Sequence, residues 1–433
     1  MAQQRITEIL WPDLVRRFSA TQGTVLFDIP DHRGEPARYQ LLSAWPVKRW
    51  QVPDGQPVAA VIREINGYIA GHRETQGDWL PLRLGFMAYG DGEQELGPAR
   101  SRHCAIPALV VQEHDWVLVL DRSDQSITLH WSPDCPADRL AQVRQCLDGP
   151  ESSPEAFRLT APFAADTRRS DYLRALQRVD HYIHAGDVYQ VNYAQRFQAR
   201  YRGHPLLAFL ALYQASPNPC SAYMDLGGQQ ILSLSPERFI RVQEDRVETR
   251  PIKGTRRRGR DGAEDQAMIR ELTESPKDRA ENLMIVDLLR NDLGRCCETG
   301  SITAEPLFAV ESYTNVHHLV STVRGRLKKE FTPLDMLLSA FPGGSITGAP
   351  KRRAMEIIRE LEPAPRGAYC GSFFHWTPAN GFDSTIAIRT LECLDGVIRC
   401  WGGGGIVADS EPAEEYQESL TKIRLFMDVL EKL

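Results

Sequence analysis

The stretch that decides the fold class is residues 341–358, which read FPGGSITGAPKRRAMEII. Its glycines lead into a run with helical spacing, much like the phosphate loop of nucleotide-binding α/β proteins. A Walker loop places Lys and then Ser or Thr directly after its last glycine, whereas here Ala349 and Pro350 intervene. The stretch therefore predicts a glycine-rich turn before a helix that starts at Pro350, with backbone N–H groups able to bind a carboxylate. A plain helix start without a ligand remains the alternative.

A second glycine-rich run lies at residues 403–408, GGGIVA, and matches the loose dinucleotide pattern GxGxxA after a predicted strand. The intervening residues up to Pro412 delay the helix that should follow at once. We therefore reject a dinucleotide site. Successive glycines instead favour the close approach of a ligand to the backbone.

Helix and strand patterns follow each other without the regular alternation of a parallel α/β fold. Helices are predicted at residues 170–186, 276–293, 350–361 and 412–433. Strands are predicted at 188–201, 221–225, 231–234, 384–393 and 397–401, the last two joined at the turn Asp395-Gly396. Sheets interleaved with helices and hairpins predict the α+β class.

The N-terminal part has a different texture. Short apolar runs at 24–29, 82–89 and 116–120 are broken by turn residues and predict a half-buried sheet. Residues 147–167 are rich in Pro, Ser and Glu and predict a linker. We expect an N-terminal region at 1–150 and a catalytic region at 165–430, both within one compact unit.

Bulk composition excludes several classes of protein. The chain has 433 residues, 42% of them apolar and 25% charged, which is typical of a globular protein. A net charge of −6 argues against nucleic-acid binding. Nine cysteines without CxxC or zinc spacing predict reduced thiols in a cytoplasmic protein. The first residues lack a signal-peptide pattern, and no apolar run is long enough to predict a membrane span.

Acidic residues on two predicted helices form a candidate metal site. Glu415 and Glu418 lie three residues apart on the last helix, and Glu281 lies on the helix begun at Pro276. Carboxylates from two helices suit the oxygen coordination of Mg2+. By spacing alone, the same pattern is more typical of a solvated helix face.

Glu237 and Lys253 are candidate reactive groups at strand ends. A partly buried carboxyl has a raised pKa and can donate a proton, whereas the alternative for Glu237 is a surface ion pair with Arg238. Lys253 lies between Ile252 and a glycine, and a desolvated lysine amine becomes nucleophilic. The alternative for Lys253 is one more cation in the basic run 253–260.

Several segments, taken together and in order, resemble the chorismate-utilising enzymes, a family that includes the anthranilate, isochorismate and salicylate synthases. They are PIKGTRR, DRAENLMIVDLLRNDLGR, HHLVS, FPGGSITGAPKRRAMEII, FDSTIAIRTL and GGGIVADSEPAEEYQES. The resemblance covers residues 187–422 strongly and the first 150 loosely. It implies an enzyme acting on chorismate, with antiparallel sheets packed in a sandwich and helices outside.

The resemblance also implies roles for matching residues. Glu281 and Glu418 would ligate a Mg2+ ion bound to the ring carboxylate of chorismate, with Glu415 beside them. Glu237 would be the general acid that protonates the departing C4 hydroxyl, and His318 would sit near the ring. The implied substrate-binding residues are Gln190, Thr255, Thr347, Gly348, Ala349, Tyr369, Arg389, Gly403 and Lys422.

Two positions discriminate between reactions within the family. Gln190 falls where isochorismate and salicylate synthases place the lysine that activates water, and glutamine cannot act as that base. Lys253 falls where anthranilate synthases place an alanine. In amino-transferring relatives that lysine is thought to attack C2 as hydroxide leaves C4, after which ammonia adds at C4. The implied product is 4-amino-4-deoxychorismate, for p-aminobenzoate and folate synthesis. Anthranilate formation and a catalytically silent relative are the alternatives.

The source of ammonia is predicted to be a second protein. No cysteine lies in a GxCxG nucleophile turn, and no Cys/His/Glu glutaminase set is visible. The family implies a separate glutaminase subunit that supplies ammonia across an interface.

Overall fold

The computed structural model describes residues 2–7, 9–30, 37–53, 56–71, 79–90, 106–149, 154–313 and 316–433. Its helices are α1 (Trp11–Arg17), α2 (Ala59–Gly71), α3 (Ala137–Asp148), α4 (Arg169–His184), α5 (Pro205–Ala215), α6 (Gly262–Glu274), α7 (Pro276–Cys296), α8 (Pro333–Ala340), α9 (Lys351–Leu361) and α10 (Pro412–Leu430). Within these described ranges, no helix combines the length and apolar character needed to cross a membrane.

The strands follow in chain order. They are β1 (Ala2–Ile6), β2 (Val25–Ile29), β3 (Tyr39–Ser43), β4 (Lys48–Val52), β5 (Leu82–Met87), β6 (Leu109–His114), β7 (Trp116–Asp121), β8 (Ser126–Trp131), β9 (Arg158–Leu159), β10 (Ala164–Ala165), β11 (Gln190–Arg202), β12 (Cys220–Asp225), β13 (Gln229–Ser235), β14 (Arg238–Gln243), β15 (Arg246–Thr249), β16 (Ile252–Arg257), β17 (Thr303–Ala304), β18 (Ala309–Ser312), β19 (Val316–Val320), β20 (Val323–Arg326), β21 (Gly348–Ala349), β22 (Ser372–Thr377), β23 (Gly381–Thr385), β24 (Thr390–Leu394) and β25 (Val397–Ile406).

Three antiparallel sheets organise these strands. The first runs β1-β8-β7-β3-β2-β12-β13-β24-β25-β11-β10, with β9 and β21 also paired to β11. The second runs β17-β20-β15-β14-β23-β22-β5-β6-β4, and the third is β16-β19-β18. N-terminal strands β2 and β3 lie in the same sheet as β12, so early and late parts of the chain share one sheet.

The two large sheets pack face to face. Phe27 of the first sheet contacts Phe373 of the second, with ring centroids 5.8 Å apart, and Phe86 packs on Phe373 at 4.9 Å. Apolar clusters on the outer faces contain residues of α1, α5 and α10 on one side and of α2, α7 and α8 on the other. The predicted α+β sandwich with helices outside is therefore confirmed.

The ends of the long helices match their sequence signals. Ser275 caps α7 by accepting the N–H of Asp278, and Pro276 occupies the first turn as expected. The helix predicted to start at Ser170 begins one residue earlier. Residues 147–167, predicted as a linker, contribute the short strands β9 and β10 beside β11.

The strand predicted at 384–393 is wrong as a single strand. The chain leaves the second sheet after β23 and joins the first sheet at β24. Arg389 lies at the crossing with φ 51°, a left-handed conformation that no strand can contain. Apolar patterning could not reveal this crossing, because the residues on both sides of it are buried.

Candidate active site

Glu237 lies where the chain passes from β13 in the first sheet to β14 in the second. Its carboxyl accepts a hydrogen bond from the Ser345 hydroxyl at 3.2 Å. Burial raises the pKa of Glu237, while the charges of Lys253 and Lys422 and the bond from Ser345 lower it. Three side chains from distant parts of the chain therefore act on one carboxyl.

Lys253, whose charge acts on this carboxyl, lies at an irregular point of β16. Its pairing with β19 shifts register between Ile252 and Thr255, so a bulge contains Lys253 and Gly254. A bulge changes the direction in which a strand side chain points. Gly254 has φ 82°, and an added Cβ would lie 2.9 Å from Leu272. The lysine is partly buried.

The arginines that follow Lys253 are used in ion pairs. Arg256 pairs with Glu271 and Asp278, Arg257 with Glu264, and Arg258 with Asp265. These acids lie on α6 and α7, which are thereby held against β16. The ion pairs of the basic run 253–260 thus stabilise the position of the strand that carries Lys253.

The glycines of β25 allow α10 to approach the sheet. A Cβ at Gly402 would overlap the carbonyl oxygen of Ser419 on α10. A Cβ at Gly404 would lie 3.2 Å from Glu415 Oε2 and 3.6 Å from Glu418 Oε1. The close approach predicted for a ligand is made here by a helix, which brings its acidic side chains to the backbone.

Lys422 links this helix to the Glu237 pocket. Its Nζ lies 2.7 Å from Glu418 Oε1 and donates to the carbonyl of Gly403 at 2.9 Å. Its charge also reaches Glu237 and lowers the pKa of that carboxyl. The acidic pair on α10 and the Glu237 corner therefore belong to one site.

Glu415 is the more buried member of the acidic pair. Burial and the neighbouring charge of Glu418 raise the pKa of Glu415, while Ser410, Lys422 and Lys277 lower it. Lys277 lies one helical turn before Glu281 on α7, so that face of α7 is directed toward α10.

The three predicted metal ligands do not form a complete coordination site. Among the described residues, no group of three His, Cys, Asp or Glu side chains is placed to hold an ion. Mg2+ is nevertheless commonly bound by one or two carboxylates together with water and substrate oxygens. Glu415 and Glu418 repel each other, and a bound cation would relieve this repulsion. The carboxylate donors therefore fit Mg2+.

The loop 343–349 forms the wall opposite α10. A 3-10 turn spans Gly344–Ile346, and Thr347 is fully buried with its hydroxyl donating to Gly343 O at 2.9 Å. Gly348 has φ 144°, and a Cβ there would overlap the carbonyl oxygen of Gln190. The hydroxyl of Thr347 thus serves the loop itself, while Gly348 and Ala349 pair with β11 as β21.

Gln190 lies at the start of β11 with a fully buried side chain. Neither its amide nitrogen nor its amide oxygen has a hydrogen-bond partner among the described residues. A Cβ at Gly405 would lie 2.9 Å from its Nε2. Buried polar atoms are nearly always paired, so these atoms are candidates for pairing with a ligand.

A second cluster joins His318, Thr255 and Arg389. The Thr255 hydroxyl lies 2.9 Å from His318 Nδ1, and burial together with the charge of Arg389 lowers the pKa of His318. Burial lowers the pKa of Arg389 too, and its guanidinium donates to Asn218 Oδ1 at 3.3 Å. A neutral imidazole beside a partly buried cation is suited to an anionic substrate.

Tyr369 is buried and stacks on Trp401, with planes 2° apart and centroids 6.0 Å apart. Burial raises the pKa of Tyr369 well above its usual value, so its hydroxyl stays protonated. The guanidinium of Arg366 lies 5.8 Å from the centroid of the Tyr369 ring.

Sequence reasoning missed Arg366, Ser345 and Asn192. Arg366 is buried, pairs with Glu362, and donates to the carbonyls of Ile346 and Asn192 at 2.8 and 2.6 Å. It thereby ties the glycine loop to β11. Ser345 lies within the stretch 341–358 and Asn192 lies two residues after Gln190, but no spacing signal connects either residue to Glu237.

Comparison with known proteins agrees with this geometry. A family model described as chorismate binding enzyme matches residues 37–428. The chain is 47% identical to aminodeoxychorismate synthase component 1 of Klebsiella aerogenes, over 80% of this chain and 77% of the relative. It is 44% identical to the protein of that name from Escherichia coli (strain K12), over 83% and 80%. The crystal structure of anthranilate synthase component I from Streptococcus pneumoniae TIGR4 superposes with a TM-score of 0.78 at 27% identity, covering 98% of this chain and 100% of that one.

Proposed function

The chain belongs to the family of chorismate binding enzymes, and we propose that it is an aminodeoxychorismate synthase component that aminates chorismate at C4. The overall reaction would convert chorismate and ammonia into 4-amino-4-deoxychorismate and water, with the enolpyruvyl group retained. The observation that carries the proposal is that the charge of Lys253 acts on the carboxyl of Glu237 and lowers its pKa. A nucleophile and a proton donor are the two groups that this substitution requires.

Glu237 would act as the general acid. Hydroxide is a poor leaving group, so the C4 oxygen must receive a proton as its bond to carbon breaks. Burial raises the pKa of Glu237, which favours the protonated form that can supply it.

Lys253 would act as the nucleophile. Its nitrogen would form a bond to C2, the two conjugated ring double bonds would shift, and the C4–oxygen bond would break, releasing water with the proton of Glu237. Ammonia would then attack C4 while both double bonds shift back and the lysine leaves C2. Covalent catalysis of this kind divides one difficult substitution into two easier steps.

A single proton transfer would bring both residues into their reactive forms. The nucleophile must be neutral and the acid must be protonated, so moving a proton from the Lys253 ammonium to Glu237 produces the reactive pair. The charge of Lys253 already acts on Glu237 and lowers the pKa of that carboxyl. Entry of the substrate ring would exclude water and favour the neutral pair.

We propose Mg2+ as the cofactor, held by Glu418, Glu281 and, through water, Glu415. When bound, the ion would anchor the ring carboxylate of chorismate and act as a Lewis acid. Lys422 would pair with Glu418 and face the substrate beside Gly403, where it already lies. These residues would orient the ring so that C2 faces Lys253 and C4 faces Glu237.

The rest of the substrate would be held by the opposite wall. Arg389 and the neutral His318 would face the enolpyruvyl side, with Thr255 holding the imidazole and Tyr369 closing the pocket. Gln190, Gly348 and Ala349 would supply polar contacts from β11 and the glycine loop, with Thr347 keeping that loop in shape.

A glutaminase subunit would supply the ammonia. All eight cysteines among the described residues have no disulfide partner, and burial raises the pKa of each thiol. A raised thiol pKa disfavours the thiolate that glutamine hydrolysis needs. No cysteine in the full sequence lies in a GxCxG turn either.

Product analysis tests this proposal. The purified chain would be incubated with chorismate, Mg2+ and an ammonium salt, and the products would be separated by chromatography. We expect 4-amino-4-deoxychorismate, and no product when glutamine replaces the ammonium salt. Anthranilate as the main product would instead support the rival amination at C2, and isochorismate would support water addition despite Gln190.

A further inference from the structure

We propose that Ser345 is a positioning residue for Glu237: its hydroxyl fixes one carboxyl oxygen so that the other carries the proton to the substrate. The Ser345 oxygen lies 3.2 Å from Glu237 Oε1. This inference rests on the proposed function, because it assigns Glu237 the part of general acid. It goes beyond that function by naming the group that gives the acid its direction.

The backbone of Ser345 is held on several sides. Its carbonyl accepts a hydrogen bond from Asn192 Nδ2 at 3.4 Å, which anchors it to β11. A Cβ at Gly344 would lie 3.0 Å from Leu288 of α7, and one at Gly343 would lie 3.1 Å from Ile386. The turn that carries Ser345 is therefore packed against two other elements and cannot move freely.

The backbone of Glu237 is held as well. Its N–H donates to the Ser235 hydroxyl at 3.1 Å, and its carbonyl accepts the N–H of Ile386 at 3.0 Å. What remains free is the rotation of the side chain. A hydrogen bond between two anchored backbones removes that freedom, which is how a proton donor is kept in line with its acceptor.

The other groups around Glu237 act on its charge. The charges of Lys253 on β16 and of Lys422 on α10 both lower the pKa of this carboxyl. Within the described residues, Ser345 is the hydrogen-bond donor of this carboxyl. The lysines therefore influence how readily Glu237 ionises, and the serine determines which oxygen remains available.

The hydrogen bond from Ser345 matters because the two oxygens of a protonated carboxyl differ. Such a group has one O–H and one carbonyl oxygen, and the carbonyl oxygen is the better acceptor. If Oε1 accepts the Ser345 hydroxyl, the proton lies on Oε2. A cavity of about 10 Å³ lined by Glu237 and Ser345 has room for about one water molecule.

The test compares Ser345→Ala with Ser345→Thr, which keeps the hydroxyl. Ser123→Ala is the matched control, because Ser123 makes the same kind of bond to a carboxylate, Asp121, in an exposed turn at 2.7 Å. We expect Ser345→Ala to lower kcat about tenfold with little change in KM, the usual effect of losing one hydrogen bond to a charged group. Because that bond lowers the pKa of Glu237, its loss should also move the pH–rate profile to higher pH. Ser345→Thr should restore both.

A double-mutant cycle with Glu237→Gln separates positioning from packing. If Ser345 acts through Glu237, Ser345→Ala should have no further effect in the Glu237→Gln background. An undiminished loss in that background, or wild-type kinetics in Ser345→Ala, would overturn this inference and leave the proposed function standing. Failure of the wild-type chain to form 4-amino-4-deoxychorismate would instead overturn the proposed function itself.

Discussion

The charge of Lys253, on a bulged strand of the small third sheet, acts on the carboxyl of Glu237 at the junction of the two large sheets. The two residues lie 16 positions apart in sequence, and the strand that carries Lys253 belongs to a different sheet from the strands on either side of Glu237. We propose that Lys253 is the nucleophile and Glu237 the acid of one site.

Removing the nucleophile should stop amination. Lys253→Ala is expected to lower ammonia-dependent turnover at least about 100-fold, the lower range for a positioned catalytic group. Lys432→Ala, an exposed lysine at the C-terminus, serves as the control. Steady-state rates with chorismate, Mg2+ and ammonium measure the effect. Full activity in Lys253→Ala would refute the nucleophile.

Removing the acid should change both rate and pH dependence. Glu237→Gln cannot donate a proton, so kcat should fall by about 10² to 10⁴. In the wild type, burial raises the pKa of Glu237, and turnover should decline as rising pH removes the proton from this carboxyl. The variant should lose this decline. Glu330→Gln, on an exposed turn, should leave the profile unchanged, and a wild-type profile in Glu237→Gln would disprove the assignment.

The acidic face of α10 should govern Mg2+ dependence. Glu418→Gln and Glu415→Gln should each raise the Mg2+ concentration for half-maximal activity by at least about tenfold. Glu414→Gln lies on the same helix but is exposed and serves as the matched control. Titration calorimetry with Mg2+ and chorismate gives a second readout. Equal Mg2+ dependence in all three variants would exclude this face as the metal site.

The glycines of β25 should divide into structural and functional positions. Gly402→Ala would press a methyl group onto the Ser419 backbone and should lower the free energy of unfolding by about 1–3 kcal/mol. Gly404→Ala would meet the flexible ends of Glu415 and Lys422, so it should reduce activity more than stability.

Urea unfolding and turnover would be measured on both glycine variants. Gly67→Ala in α2, where a Cβ meets nothing within 4 Å, is the control and should be neutral or stabilising. The account of β25 fails if Gly402→Ala is as stable as the wild type.

Elements with local sequence signals could be predicted from the sequence. Ser275-Pro276 predicted the start of α7, and the failed Walker pattern at Ala349-Pro350 correctly excluded a nucleotide-binding loop fold. Glycine spacing at 402–405 predicted a close approach to the backbone, although the approaching group proved to be α10. These signals depend on the backbone conformations that Pro and Gly permit.

Contacts between distant segments could not be predicted from the sequence. Ser345 and Glu237 are 108 positions apart, and no periodicity connects a turn with a strand junction. The crossing at Arg389 was hidden because both flanking strands are buried. The bulge at Lys253 was hidden as well, since it depends on how β19 pairs with β16.

The central claim, that the Lys253 amine becomes bonded to the substrate ring, is tested most directly by mass spectrometry of the intact protein. The chain would be incubated with chorismate and Mg2+ without any ammonia source, quenched with acid, and compared with Lys253→Ala. We predict an adduct of chorismate less one water on the wild-type chain, mapped to Lys253 by peptide analysis, and none on the variant. Active wild-type enzyme that never carries this mass, or an equal adduct on Lys253→Ala, would contradict the account.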